Sequence, residues 1–507
     1  MILPQANTDA QSQRTRVAVF FRRAPERWPT AVDLPLAVIA FAMHLWFADS
    51  YYGPLVRICA GTEAAGFALL CTRYVRLRPQ RLPWAELLFG VHYVQFGLAV
   101  MTEPSPIGLS ETIPRASSFE VAAILSLSSG VAMLAGFWIA RRTSRRFRAD
   151  RLFPNLGGHI LDRSSHVHFV LASGFVLLTS FGSIPDTLLP IKNVATVLLS
   201  QSPLLVVATV AFLTQPRPVN RLQLLGALAT LVVGLAASSM LNDTLVPIVM
   251  LGVLWWSARG RLPLLPAAAV VSTMLILQPV KRYFREFHWV DHPESGILES
   301  WQYAFSEASA DSNSAEPIGQ GREQATLTRL SELTSVAYVL EMVPRSVPYT
   351  GGIVYSKVLA AMVPRFLWPD KPDMTKYALD PFVIALDMTD PDTARTTTIG
   401  LSLTAQGYLE HGIPGSIGWM ALFGLALGFI SRYFGTSMAG VIAGASIMGP
   451  IAVNMEGGFF NIFGGLWQEL AGVTALTWCL WLLGGGYRRR LTETMLRDAQ
   501  PSRSGEF

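Results

Sequence analysis

The sequence predicts an all-α polytopic membrane protein of about twelve transmembrane helices, with a large, partly helical external loop between spans 9 and 10. Three observations predict it. Hydrophobic residues make up 51% of the 507 positions and charged residues only 15%, with a mean hydropathy of +0.37, too apolar for a soluble chain of this length. Apolar runs of about 20 residues, each long enough to cross a bilayer, recur along the chain. The Lys and Arg clusters between them also obey a single alternation of sides, as retention of basic residues on the cytoplasmic face requires.

The runs lie near 32–48, 54–71, 84–102, 119–140, 166–183, 194–213, 222–240, 245–258, 262–280, 413–430, 438–454 and 462–484. Arg14 to Arg27, Arg73 to Arg81, Arg141 to Arg151, Arg217 with Arg221, Arg259 with Arg261, Arg432, and Arg488 to Arg490 then share one side. This divides the chain into a cytoplasmic tail (1–31), spans 1–9 (32–280), an external loop (281–412), spans 10–12 (413–484) and a second cytoplasmic tail (485–507). Loop arginines on the cytoplasmic side account for the net charge of +5, so the basic balance does not point to nucleic acid. Cys59, Cys71 and Cys479 all fall in or beside apolar runs and offer no loop pair for a disulfide or zinc. No removable signal peptide is expected at the polar, basic amino terminus.

The interval 281–412 holds eleven Lys or Arg against seventeen Asp or Glu, an acidic balance suited to a translocated loop. Residues 281–323 read as flexible, including the stretch from Ser306 to Glu316. Leu327, Leu330, Leu333, Val336 and Leu340 then recur at helical spacing. A second amphipathic run, Ile353, Val354, Val358, Leu359 and Met362, must stop before Pro364. Two such helices would form a roof.

The loop also concentrates the candidate chemistry. Arg282, Arg285, Arg329, Arg365 and Lys371 are cations on a side that should be poor in them. Guanidinium groups bind phosphate oxygens through paired planar hydrogen bonds and stay charged when dehydrated. The competing reading for any one of them is an ion pair with a loop carboxylate. Pro364, Pro369 and Pro372 stiffen the backbone that presents Arg365 and Lys371. Trp368 and Tyr408 are suited to stacking on a sugar or to anchoring at the interface. Glu410 and His411, adjacent at the mouth of span 10, are candidate general bases, and Glu456 is a weaker one. Asp387, Asp390 and Asp392 read as a proline-punctuated turn and not as a metal site. Within the early spans, His44, Glu63, Glu86 and His92 are costly in lipid and must face protein or water, Glu63 and Glu86 as structural pairs. Arg57, near the outer end of its span, can join the arginine cluster.

The phrases Val363-Pro-Arg-Phe-Leu-Trp-Pro-Asp-Lys-Pro372, Tyr349-Thr-Gly-Gly-Ile-Val-Tyr355 and Gln406-Gly-Tyr-Leu-Glu-His-Gly-Ile-Pro-Gly415, set late in a chain of about a dozen spans, resemble the Wzy-type oligosaccharide repeat-unit polymerases. That family builds bacterial O-antigens and exopolysaccharides. The resemblance implies a GT-C type glycosyltransferase at the periplasmic face of the inner membrane, with both termini cytoplasmic. Its donor and acceptor would be glycans on undecaprenyl pyrophosphate, transferred en bloc with inversion and without metal or cofactor, and a chain-length regulator is a possible partner. By position, the resemblance gives Arg329, Arg365 and Lys371 to the pyrophosphate, with Arg282 and Arg285 beside them, and makes Glu410 the acidic residue before the following span. The O-antigen ligases share this pattern and differ in acceptor. A lipid-linked oligosaccharide flippase is the alternative of another class, but it would show internal repeats and short loops.

Overall fold

The computed structural model describes residues 33–77, 82–143 without 105, 108, 110 and 111, 156, 158–181, 222–230, 241–259, 280–313 without 281, 282, 285, 293 and 294, 331–363, 367, 368, 370–372, 380–391, 400–434, 438–453, 455 and 459–485. The elements are α1 (Leu34–Phe47), α2 (Pro54–Leu77), α3 (Trp84–Phe96) with a 3-10 turn (Leu98–Met101), α4 (Ala116–Thr143), α5 (Gly158–Phe181) and α6 (Leu241–Arg259). They continue with a π turn (Glu286–Asp291), α7 (Ile297–Asn313), α8 (Leu333–Met342), α9 (Ile353–Met362), α10 (Asp380–Ala385), α11 (Leu403–Tyr433), α12 (Met438–Val453) and α13 (Phe459–Leu483).

The helical membrane architecture holds, and the described residues do not reach the expected count of twelve. Four helices among the described residues are long and apolar enough to cross a membrane: Pro54–Arg76, Trp84–Met101, Ala116–Thr143 and Leu403–Tyr433. The run expected at 32–48 gives only the 14 residues of α1, about 21 Å of helix, because the chain turns extended at Ala48. The runs at 194–213 and 262–279 lie outside the described residues, as does part of the run at 222–240.

The centre of the fold is the pairing of α4 with α11, and glycine makes it possible. A Cβ on Gly424 would lie 1.9 Å from the Met133 carbonyl oxygen, one on Gly428 2.3 Å from that of Phe137, and one on Gly136 2.2 Å from that of Ala421. Gly424 and Gly428 are four residues apart, the spacing that lets membrane helices meet backbone to backbone. Around this seam Met133, Phe137, Met420, Phe423 and Leu427 are buried in one core cluster. Because Met133 faces Gly424 and Phe137 faces Gly428, the two helices run parallel at their contact. α2 runs parallel to α4 as well: the Tyr52 ring meets Phe119 at 5.4 Å near their starts, while Glu63 and Ser126 meet His92 farther along. Arg76, Arg141 and Arg432 consequently collect at one end of the bundle, opposite α8 and α9. At that basic end Arg76 reaches back to the buried Asp33 at 2.7 Å, tying α2 to α1.

α11 is two helices, not one. His411 (φ −142°, ψ 18°) and Gly412 (φ 69°, ψ −154°) leave helical geometry between 403–410 and 413–433. The chain folds back there so tightly that a Cβ on Gly407 would lie 2.7 Å from the Ser416 Cα, and the Ser416 hydroxyl donates to the Thr404 carbonyl at 2.7 Å. In a straight helix those residues would be some 18 Å apart. The segment assigned from sequence to the end of an external loop is therefore a buried re-entrant turn of helix preceding the span.

Part of the interval 281–412 expected to be flexible is helical. Residues 297–313, expected to be flexible, form α7, in which Trp301, Ala304, Phe305 and Ala308 recur at helical spacing. Trp301, Ala304 and Ala308 pack on Phe284. α8 begins at Leu333, and Leu327 and Leu330 lie outside the described residues. α9 ends at Met362, as Pro364 requires. Neither helix rests on the bundle as a lid: Val336, Ala337, Val339 and Val354 are buried in the same cluster as Val56, Phe119 and Leu409.

Alanine at Gly424 should destabilise the folded protein by roughly 1–3 kcal/mol, because backbone atoms cannot yield to the new methyl. Alanine at Gly418, where nothing lies within 4 Å, should be neutral. Thermal unfolding of the two purified variants in detergent measures the contrast.

Candidate functional site

The best-defined polar constellation lies where α9 begins and the re-entrant helix 403–410 ends. Gly351 (φ 63°) and Gly352 (φ 95°) adopt left-handed backbone, which glycine alone takes without strain. Gly352 is the N-cap of α9, and no side-chain cap occupies that position. Helix starts leave several N–H groups unsatisfied, and buried ones need an acceptor. Glu410 supplies it from another part of the chain. One carboxylate oxygen accepts from the Val354 N–H at 2.8 Å and the other from the Gly352 N–H. The debt is reciprocal, since the last carbonyls of helix 403–410 also lack partners. The Thr350 N–H donates to the Leu409 carbonyl at 3.0 Å and the Gly351 N–H to the Glu410 carbonyl at 3.1 Å.

Lys371 serves the other end of the same helix. Its buried ammonium donates to the carbonyls of Ala361 at 2.5 Å and Val363 at 2.8 Å. α9 thus carries a carboxylate at its positive end and an ammonium at its negative end, the arrangement its dipole favours. One turn before Glu410, Gln406 performs a similar service for α13. Its side-chain oxygen accepts from the Phe459 N–H at 3.0 Å while its amide donates to the Leu401 carbonyl at 2.9 Å. The i, i+4 spacing puts both acceptors on one helix face. That spacing was present in the sequence, but only the fold-back shows what it is for.

These contacts revise the sequence-based assignments. Glu410 is fully buried with both oxygens held by backbone N–H groups, so it positions the backbone and is not placed as a general base. Lys371 binds carbonyls and is not presented to an anion. His411 keeps its exposure: the imidazole stands outside the turn, its ring atoms 3.7–3.8 Å from where a Cβ on Gly352 would be. Tyr408 is buried to 9% exposure, its hydroxyl 3.4 Å from the Val343 carbonyl and accepting from the Tyr349 hydroxyl at 3.4 Å. Tyr349 is exposed, packs edge-on against Tyr408 at 5.8 Å and lies against Gly412. Arg345, exposed, is within electrostatic reach of Tyr408. Arg345, Tyr349 and His411 thus border one corner.

Among the described residues, the remaining candidates do not converge there. Arg57 donates from Nε to the Tyr52 carbonyl at 2.8 Å, stitching the turn before α2. Trp368 is 39% exposed, and its carbonyl accepts from the Lys371 N–H at 3.1 Å. Asp387 takes a positive φ of 59°, with its carbonyl receiving the Leu109 N–H at 2.9 Å. Arg282, Arg285, Arg329, Arg365, Asp392 and Glu456 lie outside the described residues. Arg115 is paired with Glu341 at 3.0 Å, and the same carboxylate accepts the Arg115 N–H at the start of α4. Behind α9, Tyr355 packs on Trp419 at 3.9 Å and Phe459 at 4.8 Å. Burial, with the Glu410 charge adding to it, pushes its phenol well up, so it stays protonated.

Replacing Glu410 by Ala should leave two buried N–H groups unpaired and cost roughly 2–4 kcal/mol. Glu410→Gln, which retains one acceptor, should cost less than half of that. Limited proteolysis at 345–363 and the unfolding midpoint, taken together, check the order of the two variants.

Comparison with known proteins adds one finding. A family model described as a domain of unknown function, DUF8712, matches residues 169–479. No curated protein and no solved structure matches the chain. The matched interval contains α6 to α12 whole, most of α13, and both partners of the α9 clamp. It spans more than half of the sequence, and the chain belongs to the DUF8712 family.

Proposed function

We propose that this chain is a membrane glycosyltransferase of the Wzy polymerase type, acting at the external face on glycans carried by undecaprenyl pyrophosphate. The observation that carries the proposal is the corner of Arg345, Tyr349 and His411, set on a backbone fixed by Glu410 at the end of the bundle opposite Arg76, Arg141 and Arg432. By the positive-inside rule the basic end is cytoplasmic, which makes the corner external. That orientation fits the inner membrane of a bacterium with both termini inside.

The chemistry divides among few groups. The acceptor hydroxyl gives its proton to the His411 imidazole as its oxygen bonds to the anomeric carbon of the donor glycan. The bond from that carbon to the pyrophosphate oxygen breaks, and the electron pair leaves with undecaprenyl pyrophosphate. Arg345 neutralises the developing charge, joined by Arg365. In the sequence Arg365 lies between Val363 and Lys371, which are joined by a hydrogen bond at the end of α9. Tyr349 offers an aromatic face for a sugar. Displacement by the incoming hydroxyl from the opposite side inverts the anomeric centre. Glu410 enters only as the group that holds the turn bearing His411.

Arg365→Ala should abolish long polymer while single lipid-linked repeats accumulate on the outer leaflet. Accumulation on the inner leaflet would instead mark a flippase, and unchanged repeats with failure of transfer to lipid A-core would mark a ligase. His411→Ala should lower turnover about 10²-fold with little change in donor binding, and equal loss of both would remove it as base. Polymerisation in vitro should persist in excess chelator. Complete loss restored by one divalent ion would overturn the metal-free mechanism.

A further inference from the structure

Inside the bundle, four buried polar atoms without hydrogen-bond partners are gathered on three helices. They are Glu63 Oε2 on α2, His92 Nδ1 on α3, and the hydroxyls of Ser126 and Ser129 on α4. All four side chains are at most 2% exposed. His92 Nε2 stands 3.0 Å from the Ser126 carbonyl oxygen, a normal hydrogen bond, and 3.6 Å from Glu63 Oε1. The imidazole is wedged against α4, since a Cβ on Gly130 would lie 2.6 Å from it.

A buried ion pair repays its desolvation only when its geometry is good and its remaining lone pairs are satisfied. Here the pair is long and one carboxylate oxygen has no donor. Ionisable groups within membrane spans are costly, and they mark sites where charge is moved or held. A crevice lined by Val56, Cys59, Glu63, Phe96, Ser126 and Leu333 connects this cluster toward the first residue of α8. It is too narrow to hold a water molecule. A hydrated cation or a small metabolite therefore does not fit, whereas a proton is held on a carboxyl oxygen and reaches it only when the crevice opens to water. The other titratable groups that face the cluster are Cys59 on α2 and Tyr93 on α3, both within electrostatic reach of Glu63. From above comes Glu332, whose N–H donates to the Gln95 carbonyl at 2.9 Å.

We propose that Glu63 and His92, with Ser126 and Ser129, form an intramembrane proton-binding site that exchanges with the external face when the crevice beneath α8 opens to water. A bound proton turns the unpaired carboxyl oxygen into a donor, bridging it to a serine hydroxyl or to the imidazole. The site stands on its own residues and does not depend on the glycosyltransferase reading.

Infrared difference spectroscopy of the full-length protein in lipid nanodiscs, titrated from about pH 4 to about pH 9, tests it. A carboxyl band that titrates in the wild type should vanish in Glu63→Gln, and its midpoint should move by about one pH unit or more in His92→Asn. Ser126→Ala, a smaller change, should shift the same band without removing it. Spectra of Glu63→Gln that superimpose on the wild type throughout would overturn the proposal. If that variant does not fold, midpoints in His92→Asn and Ser126→Ala that both match the wild type would overturn it equally. In proteoliposomes of known orientation, the band should follow a pH jump on the α8 side. A response to the opposite side alone would refute the route.

Discussion

The carboxylate of Glu410 on the first turn of α9 is the interaction on which the rest of the external end depends. A helix start with glycine at its N-cap and a buried Val354 N–H has no local side chain to satisfy that group. The acceptor must then come from elsewhere, and whichever segment supplies it is fixed in position. Because that segment is the re-entrant helix 403–410, the same contact sets the fold-back at His411–Gly412, the start of the following span and, through Gln406, the start of α13. Lys371 completes the constraint at the other end of α9. Three elements of the external end and two spans are thereby located by a few hydrogen bonds whose loss is expensive in a medium without water.

Much of this was legible in the sequence at the level of elements. Apolar runs and charge placed α2, α4 and the span 413–433, and the proline rule stopped α9 before Pro364. What periodicity could not show was direction. A helical pattern continuing through Glu410 into span 10 looks the same whether the chain runs straight or doubles back, and only Gly407, Gly412 and Gly415 hinted at the reversal. The acidic and serine-rich composition of 297–313 outweighed a weaker apolar stripe in the reading. Tertiary packing on Phe284 decided in favour of the stripe.

The candidate residues illustrate why residue type alone misleads. Glu410 and Lys371 stood out as charges in an unusual place, and they are unusual because they close helix ends inside the protein. A buried charge whose partners are backbone dipoles leaves no trace of those partners in the sequence. Arg345, by contrast, was only one of the loop's many basic residues, and Tyr349 only the first residue of a phrase. They matter because the turn at 350–352 sets them beside His411. The same logic applies to the interior, since Glu63 was expected to make a structural pair and its contact with His92 has too few hydrogen bonds for that purpose.

The glycine seam between α4 and α11 also bears on how the protein is made. Its two faces are separated by most of the chain, so when α4 first enters the bilayer its partner has not been synthesised. Residues such as Gly136 and Phe137 must wait against lipid or a transient neighbour. Lipid tails cannot fill a groove shaped for a backbone as closely as that backbone does. The amino-terminal helices therefore remain a loose, separately inserted set until α11 arrives, and biogenesis should hinge on a late docking event. A translation arrest upstream of Gly424 would leave an inserted protein that a quality-control protease can still take apart.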